Sequence, residues 1–233
     1  MPILNGDAKA LEWVAATYLS QDEVARKEIW DGVDQHTDNQ TRLGLPTRLI
    51  AKTFVFRLIF GGSAWAYAHD PEFAVCKGNE QYWENVIEEF YNKYEGLKAW
   101  HKKIMHEAID TGRLTMPTGR IYTFKRENGE WPRTQILNYP VQGLGHDLMA
   151  IARVSLYKRM RKLRLKSLLV STVHDSILSD CPSSELEVMI QLYKDVFKDI
   201  PKNFERLFGV EFNLPMKVEL EVGATWGTTI GVT

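Results

Sequence analysis

Two aspartates and one helical stripe carry most of the chemistry legible in this chain. Asp7 follows the short apolar run "PILNG", at the end of an expected strand. Asp175 lies in "STVHDSILSDCP", where a His-Asp pair interrupts two β-rich arms and therefore sits at the turn of an expected hairpin. A shared sheet would bring the two carboxylates together, and close carboxylates repel unless a cation lies between them. Magnesium suits such a pair: it takes a few carboxylate oxygens, keeps waters and binds substrate phosphates. Taken singly, each aspartate is equally a turn or cap residue.

The stripe is Arg48, Lys52, Phe56 and Phe60, at successive intervals of four. On a helix these residues share one face, with cations at the N-terminal end and rings below. A phosphate tail could meet the cations, aided by the partial positive charge of the helix N-terminus, while a base stacks on the rings. The alternative is an amphipathic core helix with a basic first turn. Phe54, Leu58 and Ile59 supply a separate apolar side for packing.

The elements that must hold these groups follow from periodicity. A strand at "IL" leads into a helix through Leu11, Val14, Ala15 and Tyr18. Pro46-Thr47 opens the helix of the stripe and Gly61-Gly62 closes it. Residues 72–111 read as mostly helical, and "GRLTMPTGRIYTF" as a hairpin. A long helix is expected over 141–164, a further one over 184–208, and a closing strand in "MKVELEVGATWG". Strands first and last with helices between them give the α+β class, with a helical insertion.

Composition sets the outer limits. The chain has 233 residues, 44% hydrophobic and 25% charged, with a formal net charge of -1. This is enough apolar residue for a substantial core and no bulk basic excess. The run "RVSLYKRMRKLRLK", 153–166, holds seven cations and no acid. It is either a solvated helix face or a surface for phosphates or an acidic partner. Cys76 and Cys181 are far apart and lack metal-ligand spacing. No apolar run approaches eighteen residues and no signal-peptide pattern opens the chain, so a cytoplasmic protein without a membrane partner is expected.

Together the segments resemble the polymerase core of the family A DNA polymerases, and especially their phage branch. "GDAKALEW" resembles the first motif of that family, an Asp with a Glu five residues on, and "RLIAKTFVFRLIFGG" resembles the second. "VHDS" is similar to the third, which is usually Val-His-Asp-Glu; Ser176 stands here in place of that Glu. "TGRIYTF", "LNYPVQGLGHDL" and "LEVGATWG" match in order, and the passage "DQHTDNQTRLGLPTRLIAKTF" is the one most like the phage branch.

The resemblance implies template-directed transfer of deoxynucleotides to a primer 3′-hydroxyl with two magnesium ions. Asp7 and Asp175 would hold both ions and the Ala8 carbonyl would ligate one of them. Arg48, Lys52 and His36 would grip the triphosphate, with Lys52 also a catalytic group that protonates or stabilises the leaving pyrophosphate. Phe56 would lie beside the sugar. Phe60 would stack on the base, without the hydroxyl of the usual Tyr, and Glu12 would exclude a ribose 2′-hydroxyl. Arg120, Asn138, Gln142 and His174 would contact primer and template.

The resemblance also divides the chain into palm (1–20), fingers (21–115) and a second palm part (116–233), with an antiparallel palm sheet and with thumb and exonuclease outside the chain. Either the chain is a piece excised from a longer polymerase or the polymerase is split between two polypeptides; the split form implies as partners primer-template DNA, dNTPs and a second polypeptide carrying the thumb, with a 3′–5′ exonuclease a further candidate for that chain. Ser176 keeps an alternative open: a catalytically weak polymerase-like subunit that binds primer-template or scaffolds a replisome.

Overall fold

A computed structural model describes residues 1–232. Strand β1 (Ile3–Ala8) is the middle of an antiparallel five-stranded sheet of order β4-β5-β1-β6-β7, in which β4 is Leu168–Val173, β5 Ser176–Asp180, β6 Val218–Gly223 and β7 Ile230–Val232. Asp7, the first candidate aspartate, thus lies on the middle strand, paired on both sides. Ten α-helices, three short 3-10 helices and a small second sheet, β2 (Arg113–Thr115) with β3 (Ile121–Thr123), complete the described elements and give the α+β class expected from the sequence.

The chain forms two compact units, Met1–Leu11 with 143–232, and Glu12–Gln142. These limits differ from the expected divisions at 20 and 115 for local reasons. Helix α1 (Leu11–Ser20) turns Trp13 against Tyr94, ring centroids 5.1 Å apart, within the helical unit. The β2–β3 hairpin packs on α7 (Glu95–Thr111) of that same unit.

In the sheet unit, α9 (Leu186–Lys198) lies against β1 and β6. Its Tyr193 is fully buried and its hydroxyl donates to the Ile177 carbonyl at 3.2 Å and sits 2.6 Å from Ser179 Oγ. The Tyr193 ring runs so close to β1 that a Cβ on Gly6 would fall 2.4 Å from it. Glycine beside Asp7 is therefore a packing requirement. The helix expected over 184–208 divides into α9 and α10 (Ile200–Phe208), because Pro201 is tolerated in a first helical turn and not in an interior.

In the helical unit, α4 (Arg48–Ile59) buries Phe54, Val55, Leu58 and Ile59. Phe54 meets Tyr67, Trp83 and Phe90 at centroid distances of 5.1, 5.8 and 5.9 Å, and the Tyr67 hydroxyl donates to the Phe54 carbonyl at 2.9 Å. Such ring contacts add specific geometry to the apolar burial that fixes one face of α4. The long helix α8 spans Arg133–Leu163, beginning eight residues before the expected start. Pro140 costs it one backbone hydrogen bond, but Ile136, Leu137, Val141 and Leu144 are all buried around that point and hold the helix through it. Among the described residues no helix is long and apolar enough to cross a membrane.

Candidate active site

Asp7 sits next to the end of β1, and its cross-strand partners are Ser176 on β5 and Glu219 on β6. Directly opposed residues of antiparallel strands share a face, so Ser176, Asp7 and Glu219 form one row across three strands. Ser176 Oγ donates to Asp7 Oδ2 at 2.7 Å.

Val173 pairs with Ser176, which leaves His174-Asp175 as a two-residue turn. His174 takes φ 52°, in the left-handed region that such hairpin turns use. The Ala8 N–H donates to the Asp175 carbonyl at 2.9 Å, so the backbone itself ties the second aspartate to the strand of the first.

The electrostatics agree with this placement. Burial pushes the Asp7 carboxyl above its ordinary value, the Ser176 hydrogen bond opposes that, and the Asp175 and Glu219 carboxylates raise it further. Two acids next to a partly buried third store repulsion that a cation would relieve. Carboxylate oxygens are hard donors of the kind magnesium takes. Among the described residues no group of three or more His, Cys, Asp or Glu side chains is placed to hold a metal ion by itself. Lys9 meets Glu219 at 3.0 Å, but both are well exposed and the pair adds little.

The phosphate-gripping candidates assemble in the helical unit. Helices α3 (Gln35–Arg42) and α4 pack together. Asp34 caps α3 and accepts from Arg48 Nε at 2.8 Å and from a terminal guanidinium nitrogen at 3.2 Å. That paired guanidinium, aided by Thr37, holds the Asp34 carboxyl well below the usual carboxylate range.

His36 is buried, and its ring lies 5.9 Å from Phe56. Burial first, then the neighbouring Arg48, lowers its pKa to about 4; Asp34 opposes this and Lys52 adds to it. The imidazole is therefore neutral near pH 7. Lys52 Nζ lies over the Phe56 ring at 5.7 Å. Arg48 and Lys52 are exposed, whereas Phe56 and Phe60 are half-buried, Phe60 as the residue that ends α4. The stripe read from the sequence thus faces outward, opposite the Phe54 core.

Glu12 is half-buried in the first turn of α1. Arg120 is exposed just ahead of β3. Asn138 and Gln142 share a face of α8 one turn apart, and Tyr139 of the same helix meets Tyr122 and Phe124 at 5.7 and 6.0 Å, which ties α8 to the hairpin strand.

Of the basic run, Arg159 is paired with Asp199 and the other six cations are exposed. His101, which matched no motif, is buried with Nδ1 at 2.9 Å from the Tyr91 hydroxyl. Three neighbours of the candidate residues escaped the motif reading: Asp34 beside Arg48, Glu219 opposite Asp7, and the Ser176 hydroxyl bonded to Asp7. The alternation in "VELEV" and the capping position of Asp34 before "QHT" were the signals for the first two.

The DNA polymerase family A model matches residues 2–228. The chain belongs to DNA polymerase family A. It is 29% identical over 209 residues to DNA polymerase I of Lactococcus lactis subsp. cremoris, covering 82% of this chain and 23% of that protein. It is 26% identical over 204 residues to the thermostable DNA polymerase I of Thermus aquaticus, covering 82% and 24%. The chain therefore spans about a quarter of the length of these relatives. Its fold is that of the POL domain of Pol1 from M. smegmatis, solved in complex with DNA primer-template and dNTP, with a TM-score of 0.83 at 18% identity over 98% of this chain and 40% of that one.

Proposed function

We propose that this family A chain is a DNA-directed DNA polymerase subunit, in which the primer 3′-hydroxyl oxygen attacks the α-phosphorus of a dNTP and the bond to the departing pyrophosphate breaks. The observation that carries the reading is the tie between the two aspartates: Asp7 on the central strand, and Asp175 on a turn whose carbonyl accepts from Ala8. Asp7, Asp175 and the Ala8 carbonyl would hold two magnesium ions. When bound, magnesium supplies the charge that lowers the pKa of the primer hydroxyl and neutralises the triphosphate.

The side chains of the helical unit perform the remaining work. Arg48 and Lys52 bind the β- and γ-phosphates, and Arg48 exchanges its Asp34 partner for phosphate oxygens. Lys52 donates a proton to the leaving pyrophosphate. Neutral His36 offers one N–H to the phosphates and gains a charge when they raise its pKa. Phe56 and Phe60 bound the sugar and base, and Glu12 fills the space of a ribose 2′-hydroxyl. Arg120, Asn138, Gln142 and His174 contact primer and template.

The phage-like motif passage supports a role in phage DNA replication in the host cytoplasm, and the thumb would be supplied by a second polypeptide. The palm would take residues 1–20 and 116–233, and the fingers residues 21–115.

Ser176, where the third motif usually carries Glu, favours one other reading: a catalytically weak subunit that binds primer-template or scaffolds a replisome. Primer extension separates the two, measured with and without magnesium, for the chain alone and joined to a polypeptide supplying the thumb. Magnesium-dependent extension in the joined complex supports the polymerase. DNA binding without extension in either arm selects the non-catalytic subunit.

A further inference from the structure

Ser176 occupies the register position opposite Asp7 and is 8% exposed, so its hydroxyl has little access to solvent as an alternative partner. It donates to Asp7 Oδ2 at 2.7 Å. On the other side of Asp7 the sheet places Glu219, and the Asp175 carboxylate lies on the adjoining turn. A carboxylate at 176 would flank Asp7 with acids on both neighbouring strands, and like charges directly opposed in a sheet destabilise it. A hydroxyl gives the opposite effect: it is neutral, so it adds no repulsion to the row, and it donates to one carboxylate oxygen.

We propose that Ser176 is a positioning residue for divalent-cation binding, holding the Asp7 carboxylate in one orientation through its hydrogen bond to Oδ2. The role deepens the reading of Asp7 as a metal ligand and rests on it. A free aspartate must give up side-chain rotamers when it takes a cation; one already fixed by a buried donor gives up fewer, so affinity rises without any added charge. Ser176 supplies no ligand oxygen in this arrangement. It substitutes order for charge at a site where a further carboxylate would add repulsion.

The test titrates Mn2+ into the full chain, free of DNA and nucleotide, by calorimetry or by the loss of the free-ion paramagnetic signal. Ser176→Ala is expected to weaken Mn2+ binding about tenfold, whereas Ser176→Thr, which keeps the hydroxyl and suits a strand, returns affinity to about twofold of the starting value. Thermal unfolding of each variant runs alongside. Asp7→Asn reports on the underlying reading.

If Asp7→Asn loses Mn2+ binding and Ser176→Ala keeps it, the positioning role is overturned and the metal assignment stands. Unchanged binding in Asp7→Asn overturns both. If Ser176→Ala lowers stability as well as affinity, threonine decides: restored stability with restored affinity supports the role, and restored stability without restored affinity overturns it.

Discussion

The sheet unit and the helical unit hold their functional groups by opposite electrostatic strategies. Around Asp7 the neighbours are acids, Asp175 and Glu219, and the stabilising contact comes from a neutral hydroxyl. Around Arg48 and Lys52 the charge is positive, a buried histidine is kept neutral, and one acid, Asp34, takes the arginine. The first region stores repulsion that a cation relieves. The second stores cationic charge with an internal acid standing where an anion would bind. On the proposed function, the first would gain most from a metal ion and the second from phosphate.

The sharpest break in this comparison comes from Lys52. Replacing it with alanine is expected to lower the rate of nucleotide transfer by about 100-fold or more, the usual scale for losing a positioned proton donor, with primer-template affinity unchanged in a gel-shift assay. A rate within a few-fold of the starting enzyme would remove Lys52 from the chemistry.

Arg48 and Asp34 test the exchange of partners. Arg48→Ala should raise the KM for dNTP by about tenfold, consistent with one lost charge-assisted bond. Asp34→Asn should lower it a few-fold, because the guanidinium no longer has to leave an ionised partner. Steady-state kinetics on a single-nucleotide gap distinguishes these shifts. Equal and parallel losses in both variants would mean that the pair only braces α3 against α4.

Gly6→Ala probes the sheet unit without touching charge. Its Cβ would overlap the Tyr193 ring, and overpacking of this kind costs about 1–3 kcal/mol in unfolding by denaturant. A neutral result would mean that α9 can move off β1 freely.

The smallest effect is a pH slope. The folded-state pKa of His36 lies near 4 against an ordinary 6.5, so the unfolded chain binds its proton first. Its stabilising contribution is complete above about pH 6.5 and is lost as pH falls from there towards 4. His101, held near 4 mainly by burial, acts in the same direction. His36→Asn should therefore flatten only part of the wild-type fall in stability between pH 7 and 4, read from urea midpoints at each pH.

Much of this was legible in the sequence because the functional groups sit where local rules are strong. A His-Asp pair between two apolar arms has few conformations other than a hairpin turn, and residues at intervals of four on a Thr-capped helix have no choice but to share a face. The α+β class followed from the same periodicities.

What stayed hidden depends on pairings distant in sequence. The row of Ser176, Asp7 and Glu219 is set by register across three strands, which periodicity alone does not fix. The start of α8 was read too late because Pro140 signals a break that surrounding burial overrides. The split of the last helix carried its own local signal in Pro201. The units divide near 11 and 142 because aromatic packing draws α1 and the β2–β3 hairpin into the helical unit.

Asp175→Asn tests the account most directly, in single-turnover primer extension at saturating primer-template and magnesium, with DNA affinity measured in parallel. The substitution keeps the size of the side chain and removes a negative charge that acts on Asp7. The account predicts loss of nucleotide transfer with DNA affinity retained. Extension at the rate of the unsubstituted chain would contradict it.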